Sequence, residues 1–164
     1  MEPDDFMAAA IALSRGALDR DGAAPFGAVV VKDGRIVGEG LNQSRARHDP
    51  TSHGEVEAIR AACRALETTD LSDCDLYSSC EPCAMCVAVM TLSGIRKLYY
   101  GATLADSAAA LGTVPPTVRR RIDSLALRRE AGLPPSERRM PSWRLAGPEA
   151  ASVLAEWAEA VSRR

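Results

Sequence analysis

The chain is predicted to be an α/β domain with helices on both faces of one mixed sheet. Residues 26–41 hold two β-branched runs around an Asp-Gly pair, and residues 75–101 read as strand, helix and strand. Helical periodicity flanks both stretches. Over 164 residues, 46% hydrophobic and 26% charged is the ordinary balance of one soluble domain with a core of its own.

Residues 4–20 place Met7, Ala10, Ile11, Ser14, Ala17 and Leu18 at helical steps, with Asp4 or Asp5 as the cap and Asp21-Gly22 as the stop. Between runs 26–32 and 35–41, Asp33-Gly34 predicts a two-residue hairpin turn, whose type I′ geometry needs positive φ at both positions. Residues 42–52 are a polar loop broken by Asp49-Pro50. A helix over 54–66 carries Val56, Ile59, Cys63 and Leu66 on one face, with Thr51 or Ser52 expected to cap it. A strand at 75–79, a helix opened by Pro82 and running to about 93, and a strand at 96–101 suggest a right-handed parallel βαβ unit. Beyond Gly101 the pattern thins. Residues 102–117 read as a loop or broken helix, 118–131 as a helix, 142–146 as a last strand and 148–161 as a final helix with Val153, Leu154, Trp157 and Val161 in one stripe.

The net charge of −2 gives no electrostatic case for a nucleic-acid or membrane partner. Arg119–Arg121, Arg128–Arg129 and Arg138–Arg139 are read as a solvated helix face and loop, because acids are interspersed among them. No run approaches the length of a transmembrane helix, and the N-terminus lacks the pattern of a targeting segment. Five cysteines, an odd number that includes a C-x-x-C, favour metal binding in a reducing compartment, with the cytoplasm as the default.

The chemistry concentrates in His53-Gly54-Glu55 and Pro82-Cys83-Ala84-Met85-Cys86. Two thiolates and a neutral imidazole make a formally neutral Zn2+ site one ligand short of tetrahedral closure, which leaves a place for water. Glu55 is placed to take that water's proton, pass it to a ring nitrogen and protonate departing ammonia, so Glu55 should not itself be a ligand. Cys80 or His48 offers a competing closed four-ligand site without chemistry, in which Glu55 merely favours its helix end. The complete pattern H-x-E, then P-C-x-x-C, is that of zinc deaminases.

With Pro25-Phe26-Gly27, Asn42, Asp49-Pro50-Thr51-x-His53-x-Glu55 and Cys80-Glu81-Pro82-Cys83-x-Met85-Cys86, the chain resembles the cytidine deaminase superfamily. It resembles the guanine deaminase group more than the tRNA adenosine deaminase group. The resemblance implies a three-layer α/β/α sandwich with a mixed central sheet, a single domain over 1–164, one Zn2+ per chain and a free base or nucleoside as substrate. It also implies a homodimer in which a segment from about 118 to 164 covers its own or a neighbour's site. On this resemblance His53, Cys83 and Cys86 hold the metal and Glu55 is catalytic, Asn42 hydrogen-bonds the substrate, Phe26 packs on its ring and the Gly54 N–H binds a ring carbonyl. Guanine deaminases carry an acid after the fourth strand, whereas residues 110–115 here have none and Asp106 is the nearest. Guanine, guanosine, a cytosine-like base and an s-triazine therefore remain open as substrates, beside a tRNA adenosine and a non-catalytic zinc-stabilised module.

Overall fold

The computed structural model describes residues 2–120 and 122–163. It forms two compact units, 1–128 and 129–164. The first unit is built on a four-stranded sheet in the order β2-β1-β3-β4, from β1 (Ala24–Lys32), β2 (Arg35–Asn42), β3 (Asp75–Cys80) and β4 (Lys97–Ala102). β1 runs antiparallel to both β2 and β3, and β3 runs parallel to β4, so the sheet is mixed as the sequence predicts. Asp33 and Gly34 take φ of 49° and 71° at the β1–β2 turn, the left-handed pair that type I′ geometry requires.

Alternation along β1 explains the layering. Ala28 and Val30 face one way, into a core with Val56, Ile59 and Ala62 of α2 (Gly54–Leu66) and Cys86 and Met90 of α3 (Ala84–Ser93). Val29 and Val31 face the other way, against Phe6 and Ala10 of α1 (Pro3–Arg15). Tyr77 joins this second core, stacked on Tyr99 with ring centroids 4.5 Å apart. Helices therefore cover both faces.

Several boundaries differ from the expectation. α1 ends at Arg15 and is capped by Glu2 in a reciprocal box with Asp5, not by Asp4 or Asp5. His53, not Thr51 or Ser52, is the N-cap of α2, and α3 begins at Ala84, two residues past the proline expected to open it, with Cys83 as its N-cap. Within 102–117 a real helix forms, α4 (Leu104–Leu111), because Thr103 and Asp106 cap it reciprocally. The helix expected over 118–131 is shorter, α5 (Ser124–Gly132), since turns after Pro115 occupy the preceding residues. Arg121 lies outside the described residues.

Glu57 pins the loop between β2 and α2. It is only 8% exposed and pairs with Arg47 Nη1 at 2.6 Å and Arg60 Nη1 at 2.8 Å. Burial pushes its carboxyl up, but the Arg60 hydrogen bond and the Arg47 pair outweigh this and hold it below the usual carboxylate range. Because the folded value is depressed, the stabilisation is fully present above the unfolded pKa of about 4.3. It is lost as pH falls through the folded value. Glu57→Gln should cost about 1–2 kcal/mol at pH 7, toward the low end for a charged hydrogen bond because both arginines are half exposed. Thermal melts should show the difference from wild type shrinking in acid.

In the second unit, Glu130 ties to Arg139 through its backbone N–H at 2.9 Å and Nε at 3.0 Å. Residues 142–146 form no strand, because a strand exists only when paired and no ladder among the described residues meets this segment. α6 (Gly147–Ser162) presents the expected stripe, but Val153, Leu154 and Trp157 are all exposed.

Candidate metal and catalytic site

Two helix beginnings carry the site. His53 and Cys83 are the N-cap residues of α2 and α3, both extended, and neither side chain caps its own helix. Each is therefore available to an ion. Cys86 is the third residue of α3, and the N-cap to third-residue spacing is the one at which capping boxes bring side chains together. Here that spacing leaves the two sulfurs 3.6 Å apart. The Nδ1 of His53 lies 3.6 Å from Cys83 Sγ and 3.5 Å from Cys86 Sγ.

These separations can be tested against a metal. Zn–S bonds of about 2.3 Å and Zn–N bonds of about 2.0–2.1 Å at tetrahedral angles imply edges of about 3.8 Å for S···S and about 3.5 Å for N···S. The observed triangle has these dimensions to within about 0.2 Å. Among the described residues, only these three form a cluster able to hold an ion. Cys80 and His48, the residues of the closed-site alternative, are not in it. Cys80 Sγ lies 3.8 Å from the Thr103 carbonyl, and His48 belongs to the β2–α2 loop, where its φ is 51°.

The electrostatics of the metal-free triangle suit thiolate chemistry. The hydrogen bond to Cys86, together with His53, pulls the Cys83 thiol down to about 4 despite its burial. The Cys83 hydrogen bond in turn raises the His53 imidazole above its ordinary value. Both groups sit at helix N-termini, whose partial positive charge favours anions. Glu55, only 5% exposed in the first turn of α2, faces the Cys86 thiol, and burial pushes its carboxyl up. A carboxyl shifted that way is suited to exchanging protons near neutrality.

The residues expected to bind substrate gather around the same helix start. Gly54 lies so close to the Phe26 carbonyl that a Cβ would collide with it. As the first residue of α2, Gly54 has an amide with no intrahelical acceptor. Phe26 lies in an irregularity of β1 between the Ala24–Asn42 and Gly27–Leu41 pairs, and its side chain is half-buried. Asn42, buried at the end of β2, accepts from Ser44 N–H at 3.1 Å and Ser44 Oγ at 2.8 Å through its carboxamide oxygen. That bonding assigns the amide orientation and leaves the NH2 half as its donor.

Three features were not foreseen. Glu81 anchors the loop before Cys83, accepting from Leu104 N–H at 3.0 Å and from Arg128 Nη2 at 2.8 Å, and Arg128 also reaches the Pro82 carbonyl. The sequence alone places Arg128 on a solvated face. Its signal was long-range pairing, which no local pattern carries. Arg119, from the same set of arginines, lies over the Phe26 ring, 5.9 Å from the centroid. Asp106, the acid nearest to the stretch where guanine deaminases carry theirs, has its carboxylate committed to Thr103 N–H at 2.8 Å and Thr103 Oγ1 at 2.7 Å.

A triangle of zinc-ligand dimensions beside a buried carboxylate defines the site of a zinc-dependent hydrolytic deaminase. The family model for the cytidine and deoxycytidylate deaminase zinc-binding region matches residues 1–102, and the chain belongs to that family. It is 35% identical to the guanine deaminase of Bacillus subtilis over 157 residues, covering 96% of this chain and 94% of that one. The X-ray structure of the B. subtilis enzyme superposes with a TM-score of 0.84 at 34% identity, covering 97% and 95% of the two chains. The tRNA-specific adenosine deaminase of Agrobacterium fabrum is 45% identical over 101 residues, covering 62% of this chain and 66% of that one. A crystal structure of NE0047 in complex with 2,6-diaminopurine gives a TM-score of 0.63 at 32% identity, covering 68% and 61%.

Proposed function

We propose that this deaminase acts on a free amino-purine, guanine first, or on a closely related amino-heterocycle. The observation that carries the reading is the extent of the likeness. Similarity to the B. subtilis guanine deaminase runs through 96% of the chain, whereas similarity to the Agrobacterium tRNA enzyme covers 62%. The complex of NE0047 with 2,6-diaminopurine supports a free purine as the kind of ligand this architecture takes.

In this reading His53, Cys83 and Cys86 hold one Zn2+ per chain. Zinc supplies acidification of a water, lowering its pKa from 15.7 toward about 7. Glu55 accepts that water's proton and delivers it to the ring nitrogen beside the attacked carbon. A second proton transfer through Glu55 lets the exocyclic amine leave as ammonia, so a C–O bond forms, a C–N bond breaks and nothing is oxidised. Phe26 packs on the ring face, while the Asn42 NH2 and the Gly54 N–H hold acceptors on its edge. The second unit's exposed row of Val153, Leu154 and Trp157 calls for a covering surface, and a second copy of the chain is the partner we propose, through exchange of C-terminal segments. Among the described residues no helix is long and apolar enough to cross a membrane. The thiol ligands need a reducing compartment, for which we take the cytoplasm.

Ammonia release should be measured over guanine, guanosine, cytosine, adenine, cytidine, aminotriazines and tRNA, before and after chelation. Guanine or a near analogue should be turned over with one zinc per chain, and activity should vanish with chelator and return with Zn2+. Turnover of tRNA alone, with steep salt dependence of binding, would instead favour the tRNA enzyme. Bound zinc with no ammonia from any member would favour a non-catalytic module.

A further inference from the structure

Arg119 is half-buried and held by a short turn after Pro115-Pro116, in which its own N–H and that of Val118 both donate to the Pro115 carbonyl, at 3.0 and 2.9 Å. Its guanidinium lies over the Phe26 ring. It makes none of the ion pairs found among the described residues. A cation thus stands over Phe26, whose carbonyl abuts Gly54 next to His53, and it has no ion pair among the described residues.

Its neighbours share one polarity. The Asn42 carboxamide oxygen is taken by Ser44, so this residue has donors to give. The first amide of α2 is a donor without an intrahelical acceptor. Asp106, the acid nearest to residues 110–115, is held by Thr103. Apart from the proton-shuttling Glu55, the site offers hydrogen-bond donors. A guanidinium adds a planar fork that pairs best with oxygen acceptors.

We propose that Arg119 is the specificity residue, selecting amino-heterocycles that carry an exocyclic oxygen acceptor over those that lack one. The assignment rests on the free-base reading of the same site. An oxo group held by Arg119 gains a charge-assisted hydrogen bond, and a ring without that group leaves the guanidinium half-desolvated over Phe26 with nothing to bind. Arg119 binds substrate and takes no part in proton transfer, so its effect should fall on KM.

The test compares matched pairs: guanine with 2-aminopurine, and ammeline with melamine. In wild type the oxo member of each pair should have the higher kcat/KM. Arg119→Ala should lower that preference roughly 10- to 100-fold, mainly through KM of the oxo member, and Arg119→Lys should restore part of it. Zinc content and Tm are read on each variant. Should Arg119→Ala lose either, Arg119→Met, which keeps an aliphatic stem on Phe26, carries the same comparison. An unchanged preference, or an equal loss for both members of a pair, overturns the assignment while leaving the free-base reading standing. Wild type releasing no ammonia from either pair overturns this assignment, and the free-base reading falls with it only when the other free bases of the panel release none either.

Discussion

Glu55→Gln is expected to lower kcat by about 10²–10⁴-fold while the protein keeps one zinc per chain. The two readouts separate because the residue is not part of the ligand triangle. His53, Cys83 and Cys86 supply the three atoms that lie within 4.8 Å of one another. Glutamine keeps the volume of a side chain that is only 5% exposed, so packing around α2 should hold. On the proposed role of Glu55, it removes the group that carries protons in both directions. The loss corresponds to about 2.7–5.4 kcal/mol of transition-state stabilisation. Stability should not fall, because burial already disfavours the carboxylate that the substitution removes. Ammonia assays paired with zinc analysis check the outcome. A variant turning over within a few fold of wild type would mean that another group moves the protons.

The second large effect lies in a residue with no side chain. A Cβ at Gly40 would collide with the Gly54 carbonyl and the Ala58 amide, and one at Gly38 with the Ala58 carbonyl and Ala62 amide. These are backbone atoms of α2, which cannot rotate away as a flexible side chain would. Gly40→Val should therefore lift the start of α2, with His53 and Glu55 on it, from β2. Overpacking of this kind costs about 3 kcal/mol or more, against a typical total of about 5–15. Thermal melts should show a Tm lower by about 6–12 °C or a failure to fold, together with weakened zinc retention. Gly34→Ala is the control. Gly34 has φ of 71° with open space around it, so alanine there should cost only about 1–2 kcal/mol of backbone strain and leave zinc in place.

The part of the chain from Phe26 to Tyr100 was readable because its signals are local. Asp33-Gly34 dictates its own turn, and the alternation of β1 is visible as a β-branched run. His53, Glu55, Cys83 and Cys86 sit at fixed short spacings. Errors there were displacements of one or two residues, and they matter chemically. Reading Pro82 as the helix start hid the fact that Cys83 is an N-cap, which is what frees its sulfur. Beyond Gly101 the determinants are relational. Arg128 is defined by Glu81, far back in the chain, and Arg119 by Phe26. Residues 142–146 have strand character but no ladder among the described residues to join. The stripe on α6 is plain in the sequence, yet periodicity says only that a face is apolar, not what covers it.

The direct contact of α2 backbone with β2 through Gly38 and Gly40 has a consequence for how such a protein can change. His53 and Glu55 sit at the start of a helix whose backbone lies directly on Gly38 and Gly40 of β2, where any added Cβ collides with main-chain atoms. Arg119 hangs from a turn whose flanking residues are mostly exposed, where replacements disturb little. On the proposed role of Arg119, varying 112–120 would change substrate choice while leaving His53, Glu55, Cys83 and Cys86 untouched. A library confined to that turn is the economical route to re-aiming the enzyme.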